Sequence, residues 1–308
     1  MIRRLLPFVT LMLLFVALAI ASPAFLTKGN LTALVQQTAV INIMALGMTL
    51  IIITGGIDLS VGAILALAGY LGVTVMVESG SIALGVATGL GVGMVAGALN
   101  GFLVTQLKIS PFIVTLGMMG VIRGGVLTIS RGLPSDQVPK DFQYLGVGTP
   151  LGLPAVFWVL LACAVVMHFV MEHTRLGRSA FAIGSNPDAA FYAGLPVALH
   201  LTCVYGINGV LTGIAALIET ARLTTGQPTA GQNYELQAIA AVVIGGGSLR
   251  GGEGSVAGTL IGAFIMGLLS NGSDLLGINN YLQQMIIGGA IIVAVTIDEF
   301  RKRRTITA

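Results

Sequence analysis

Asp58 lies in Ile53-Thr-Gly-Gly-Ile-Asp-Leu-Ser-Val-Gly62 and is the one charged side chain between Leu31 and Val77. A carboxylate in so long an apolar stretch is costly unless it is hydrogen-bonded, neutralised or next to water. The Gly55-Gly56 pair beside it marks a broken helix. Asp58 or Ser60 can cap the helix that follows by accepting from its free first-turn N–H groups. A capped half-helix beside a cavity is also a way to build a polar route through a membrane. A second break is written in Gly245-Gly-Gly-Ser-Leu-Arg250-Gly-Gly-Glu253-Gly. It is not a nucleotide loop, because a P-loop needs Gly-x-x-x-x-Gly-Lys-Ser/Thr and the chain has no Gly-Lys. Bond-making chemistry has no candidates. His168, His173 and His200 lack ligand spacing, and Cys163 and Cys203 are lone residues in apolar segments that read as core packing.

The elements that must position Asp58 follow from composition. Of 308 residues, 55% are hydrophobic and 9% charged, and 43 are glycine, which excludes an ordinary soluble domain. Apolar runs fall near 5–21, 32–53, 59–77, 81–104, 111–130, 152–171, 201–219, 236–247, 256–271 and 281–297. The expected fold is an all-α polytopic membrane protein of about ten transmembrane helices, with discontinuous helices near 54–60 and 245–254, in a single transmembrane domain over 1–308. Pro23, at what would be a signal-cleavage junction, favours an uncleaved first helix. Alternation from an inside Arg3 and Arg4 places Lys108, Arg175, Arg178, Arg250 and Arg301 to Arg304 on the same side. That is ten Lys/Arg inside against Lys28, Arg131, Lys140 and Arg222 outside, so both termini are expected in the cytoplasm.

Polar side chains within spans are the candidates for a translocation pathway: Gln36, Gln37, Asn42, Asp58, Asn100, Arg123, Asn208 and Asn271. Each can equally be helix-to-helix glue. Gln36 and Gln37, on the outer part of the second helix, are the favoured pair. Gly85, Gly89, Gly93, Gly97 and Gly101 recur every fourth residue, and Gly254, Gly258 and Gly262 do the same; such stripes let backbones approach, within one subunit or between two. Two segments expected to face outside, 131–153 and 221–234, are rich in turn residues, including Pro134, Pro139, Gly226, Pro228 and Gly231.

The longest inside loop spans 172–200. Asn186-Pro187-Asp188 is a helix start, with proline in the first turn and aspartate favourable to the dipole. Gly194 and Pro196 end that helix after about two turns. Its Ala189, Ala190, Phe191, Tyr192 and Ala193 either lie on the membrane surface or dock into the groove of a cytosolic partner.

Three motifs then resemble one family. They are Ile53 to Gly62; Thr174-Arg-Leu-Gly-Arg178 leading into Ala182-Ile-Gly-Ser-Asn-Pro-Asp-Ala-Ala190; and Ala221-Arg-Leu-Thr-Thr-Gly-Gln-Pro-Thr-Ala-Gly231 followed by Glu235 to Gly252. Together they resemble the permease subunit of bacterial ribose-type ABC importers over essentially the whole chain. Where relatives commonly show Gly-Gly-Asn, this chain has Gly184-Ser185-Asn186, and Gly245-Gly-Gly247-Ser-Leu replaces Gly-Gly-Thr-Ser-Leu, both small-for-small changes. The resemblance implies a multi-pass inner-membrane permease that dimerises and takes a monosaccharide from a periplasmic binding protein. It also implies that a separate cytosolic ATPase drives transport, docked on a coupling loop holding Arg178, Gly184, Asn186, Pro187, Asp188, Ala189, Ala190 and Gly194. ATP would be bound by that partner, with no cofactor, metal or nucleic acid on this chain. The competing class is an ion-coupled secondary transporter, which would want deep carboxylates, and Asp58 is the one candidate.

Overall fold

The computed structural model describes residues 2–279, 281–290, 292, 293 and 296. Twelve α-helices are α1 (Ile2–Ala21), α2 (Lys28–Ile53), α3 (Val61–Ser79), α4 (Ile82–Gln106), α5 (Pro111–Ser130), α6 (Lys140–Val147), α7 (Ala155–His173), α8 (Arg175–Ser185), α9 (Pro187–Tyr192), α10 (Val197–Leu223), α11 (Tyr234–Ile244) and α12 (Val256–Leu275). Residues 281–290 are also helical. Local chemistry sets many of the starts. Thr27, Ser81, Thr174, Asn186 and Ser255 each accept from a backbone N–H of the first turn, and Pro111 and Pro187 open their helices.

Seven of these helices are long and apolar enough to cross a membrane: α2, α3, α4, α5, α7, α10 and α12. The polytopic all-α class therefore holds, while the count of ten is not reached among the described residues. The expected eighth run is α11, whose eleven residues rise only about 16 Å at 1.5 Å each, roughly half of a hydrocarbon core. The first and last runs appear as the apolar stretch Leu6–Ala21 and as helix 281–290. The basic tail Arg301 to Arg304 lies outside the described residues.

The bundle is built around α2. Every residue from Thr38 to Ile53 is buried, as befits a helix that is apolar all round, and α10, α12, α11 and α7 pack on it. The glycine stripe of α4 is consumed within the chain. A Cβ on Gly93 would run into the Gly209 carbonyl, one on Gly97 into the Tyr205 carbonyl, and one on Gly101 into Thr202, all on α10. Gly258 and Gly262 similarly admit the backbone of Gly245 and Ala241. Cys163 is buried, but Cys203 is exposed on α10, so the reading of both as core residues is corrected to Cys163 alone.

The segment 221–234 does not stay outside the bundle as its turn residues suggested. Gly226 packs on Gly69 and Tyr70 of α3, and Gly231 on Gly62 near the start of the same helix, so 226–231 runs down alongside α3 and hands over to α11 at depth. A bridge pairs Ser135 with Gly226, tying the 131–139 loop to the top of this descent.

Candidate functional site

The descending segment and α11 open one side of a polar cleft. A cavity of about 440 Å³ is lined by Gln232, Asn233, Leu236, Gln237, Asp274, Gln283, Gln284, Ile287 and Gly288. An adjoining one of about 220 Å³ is lined by Gln37, Thr38, Ile41, Arg222, Tyr234, Gln237, Gly267, Ser270 and Asp274. Gln237 and Asp274 belong to both. Five of the nine residues lining the larger cavity and two of the nine lining the smaller are Gln or Asn, and an amide offers both a donor and an acceptor to a hydroxyl. Arg222 is engaged by Glu219 at 2.9 Å, and Tyr234 donates to the other oxygen of Glu219 at 3.0 Å. Non-helical backbone at membrane depth is tolerated where it lines such a cavity, which is where Gln232 and Asn233 lie. The cleft is at the end of the bundle where α2 begins and α10 and α12 finish.

Asp58 is elsewhere. Its side chain is fully buried. One oxygen accepts from the Ser60 N–H at 2.9 Å and the Ser60 hydroxyl at 2.7 Å, the other from Asn208 Nδ2 at 2.9 Å, and Asn100 Nδ2 donates to Ser60 Oγ at 2.7 Å. Thr115 and Tyr205 both donate to the Ile57 carbonyl, at 3.2 and 3.4 Å. The break at 54–60 is thus fastened to α4, α5 and α10. Ser60 stands at the cap of α3, but its hydroxyl makes no capping bond; it serves Asp58 instead.

The remaining pathway candidates separate. Gln37 is exposed into the cleft. Gln36 turns away and donates to the Gly146 carbonyl of α6 at 3.0 Å, and Asn42 is buried and donates to the Thr38 carbonyl at 2.9 Å. Asn208 belongs to the Asp58 cluster with Asn100, and Asn271 pairs reciprocally with Asn30. Arg123 is a clamp: its guanidinium donates to the Pro228 carbonyl at 2.8 Å and the Gly62 carbonyl at 3.2 Å, holding the descending segment against α3. Sequence reasoning missed Gln232, Asn233, Gln237, Asp274, Gln283 and Gln284. A richness in Gln and Asn across 227–237 and 279–284 was the available signal.

At the opposite end α8 and α9 form the 172–200 loop. Asn186 Oδ1 accepts from the Ala189 N–H at 2.9 Å to cap α9, Pro187 and Asp188 fill its first turn, and Gly194 follows with φ +84°. Ala190 is buried against the bundle, while Phe191 and Tyr192 are 65% and 86% exposed. Arg178 is exposed on α8, whose Gly177, Ser179, Ala180 and Ile183 face inward. Gly184 sits against the ends of both helix breaks.

Residues 30–295 match the family described as the branched-chain amino acid transport system permease component. The chain is 41% identical to the ribose import permease protein RbsC of Escherichia coli (strain K12) over 94% of its length and 92% of that protein's. It is 41% identical to the ribose import permease protein RbsC of Bacillus subtilis (strain 168), over 96% and 92%. It is 38% identical to the D-allose transport system permease protein AlsC of Escherichia coli (strain K12), over 89% and 84%. No solved structure matches. With seven helices long and apolar enough to cross a membrane among the described residues, a cleft at one end and a capped, exposed short helix at the other, the chain belongs to this family of ABC-importer permease components.

Proposed function

We propose that the chain is the membrane subunit of an importer for a monosaccharide, ribose or a sugar of similar size, and that the sugar passes through the amide-lined cleft. The observation that carries this reading is the chemistry of the cleft: Gln37, Gln232, Asn233 and Gln237 line it with amides and without a cluster of cations. Such walls suit a neutral polyol. The relatives' names support the sugar class. The cleft end faces outward, towards a binding protein that releases the sugar into it, and both termini lie in the cytoplasm of a bacterial inner-membrane protein.

The power comes from a separate cytosolic ATPase that receives α9, with Phe191 and Tyr192 as the apolar anchors. ATP is bound by that partner. Two copies of the permease surround one route, and each presents an α9 to its own ATPase subunit. Closure of the two motors moves the two short helices and rocks the bundles, exchanging outward for inward access. Asp58 speaks against ion coupling, because neutral donors enclose it away from the cleft. The test is ATP hydrolysis by proteoliposomes holding this chain and its ATPase, with binding protein loaded in turn with several pentoses and hexoses. Stimulation by one loaded sugar is the expected result. Uptake that persists without ATP would overturn the reading.

A further inference from the structure

The proposed function leaves open how a push on α9 reaches the cleft, and the end of α8 supplies a joint for it. Ile53, the last residue of α2, accepts a hydrogen bond from the Gly252 N–H at 2.8 Å, so the two helix breaks are bonded to each other. Gly184, near the end of α8, lies in the angle between them. A Cβ there would run into the Ile53 carbonyl and stand 2.7 Å from Gly252 N. From the other side, a Cβ on Gly251 would be 2.7 Å from the Gly184 carbonyl oxygen and 3.0 Å from Gly55 N, and one on Gly252 would be 2.8 Å from Ser185 Oγ. Gly55, Gly251 and Gly252 all have positive φ, at +79°, +90° and +76°. That backbone region favours glycine. Three segments from distant parts of the chain therefore meet main chain to main chain at Ile53, Gly184 and Gly252.

The joint lies next to both things it would connect. Ser185 is followed by Asn186, the cap of α9. Gly55 is three residues before Asp58, which Asn208 holds to α10, while Gly254 leads into α12, which carries Asp274 of the cleft. We infer that Gly184 is a positioning residue for coupled transport: it keeps α8 in backbone contact with both breaks, so that movement of α9 is delivered to α2, α11 and α12 together. This inference rests on the proposed ATP-driven reading.

The test compares matched glycines in the full complex with its ATPase and a D-ribose-loaded binding protein, reading sugar taken up per ATP hydrolysed. Gly184→Ala wedges α8 off the breaks. Gly85→Ala is a crowded substitution at the contact of α4 with α3, against Met76 and the Gly72 carbonyl, and it touches neither break nor α8. The expected result is a fall of ~10-fold or more in sugar per ATP for Gly184→Ala, within the range of measured coupling energies, and a wild-type ratio for Gly85→Ala. Gly252→Ala, which strains the joint from the other side, shows the same fall and serves if Gly184→Ala does not reach the membrane. A wild-type ratio in Gly184→Ala or Gly252→Ala overturns the inference, as does an equal fall in Gly85→Ala, which would mark general damage. If the wild-type complex takes up sugar without hydrolysing ATP, the proposed function fails instead.

Discussion

The two ends of the bundle solve opposite problems. At the end where α8 meets the breaks, main chain touches main chain across Ile53, Gly184 and Gly252, and just inside it Asp58 is enclosed by Ser60 and Asn208. At the other end α11 begins at depth, the 226–231 segment descends to meet it, and the space left is walled by Gln37, Gln237, Asn233 and Asp274. Close backbone packing and the hydrogen bonds that hold Asp58 make the first end stiff. The second is open, and its Gln and Asn side chains line a cavity that a solute can enter. A machine of this kind needs both, because force must be carried without loss at one end and a changing set of hydroxyls met at the other.

That contrast can be broken by substitution, since residues of the sealed half should register in stability and residues of the cleft in substrate affinity. The largest effect is expected from Gly97→Val, which forces α4 from the Tyr205 carbonyl of α10, a backbone atom that cannot swing aside. A loss of about 3 kcal/mol is expected for overpacking of this kind, read as a lowered unfolding midpoint in detergent or as failure to accumulate. Asp58→Ala comes next. It strands the donors of Ser60 and Asn208 in a buried site, costing about 2 to 3 kcal/mol by the usual penalty for unsatisfied buried groups; the unfolding midpoint checks it, and transport declines in parallel. Arg123→Ala frees the Pro228 and Gly62 carbonyls and should cost about 1 to 2 kcal/mol, with proteolysis at 226–231 becoming faster.

Smaller effects belong to the cleft. Gln237→Ala, at the shared corner of both cavities, should raise the sugar concentration for half-maximal uptake by roughly 5- to 10-fold, about 1 to 1.4 kcal/mol, with the unfolding midpoint unchanged. A matching fall in stability would erase the distinction between the two ends. The smallest change is expected from Gly120→Ala, on an α5 face with nothing within 4 Å, which should stay within about 0.5 kcal/mol of the parent.

The sequence carried the sealed end well and the open end badly, for a physical reason. Breaks, caps and glycine stripes are local: Gly55-Gly56, Asn186-Pro187-Asp188 and the spacing of Gly85 to Gly101 each fix a backbone event within a few residues, and the structure has α2 ending at Ile53, α9 starting at Pro187 and α4 packed on α3 and α10 through that stripe. The cleft is assembled from α2, α11, α12 and helix 281–290, so its members share no spacing. Polarity within a span did not say which way a side chain turns: Gln36 and Gln37 are neighbours, yet one braces α6 and the other lines the cleft. Turn residues of 221–234 announced an irregular segment correctly but not its depth, which is set by the contacts of Gly226 and Gly231 with α3. The count of ten spans treated every apolar run as a crossing, and α11 is too short to be one alone.

Thiol accessibility would test the opposition of the two ends most directly. In a background lacking Cys163 and Cys203, Gln237→Cys and Ser185→Cys would be exposed, one at a time and without ATP, to a membrane-impermeant maleimide on right-side-out vesicles. Labelling of Gln237→Cys from outside, with Ser185→Cys reacting only once the vesicles are opened, is the expected result. Labelling of Ser185→Cys from outside, or of Gln237→Cys only from the inner face, would contradict it.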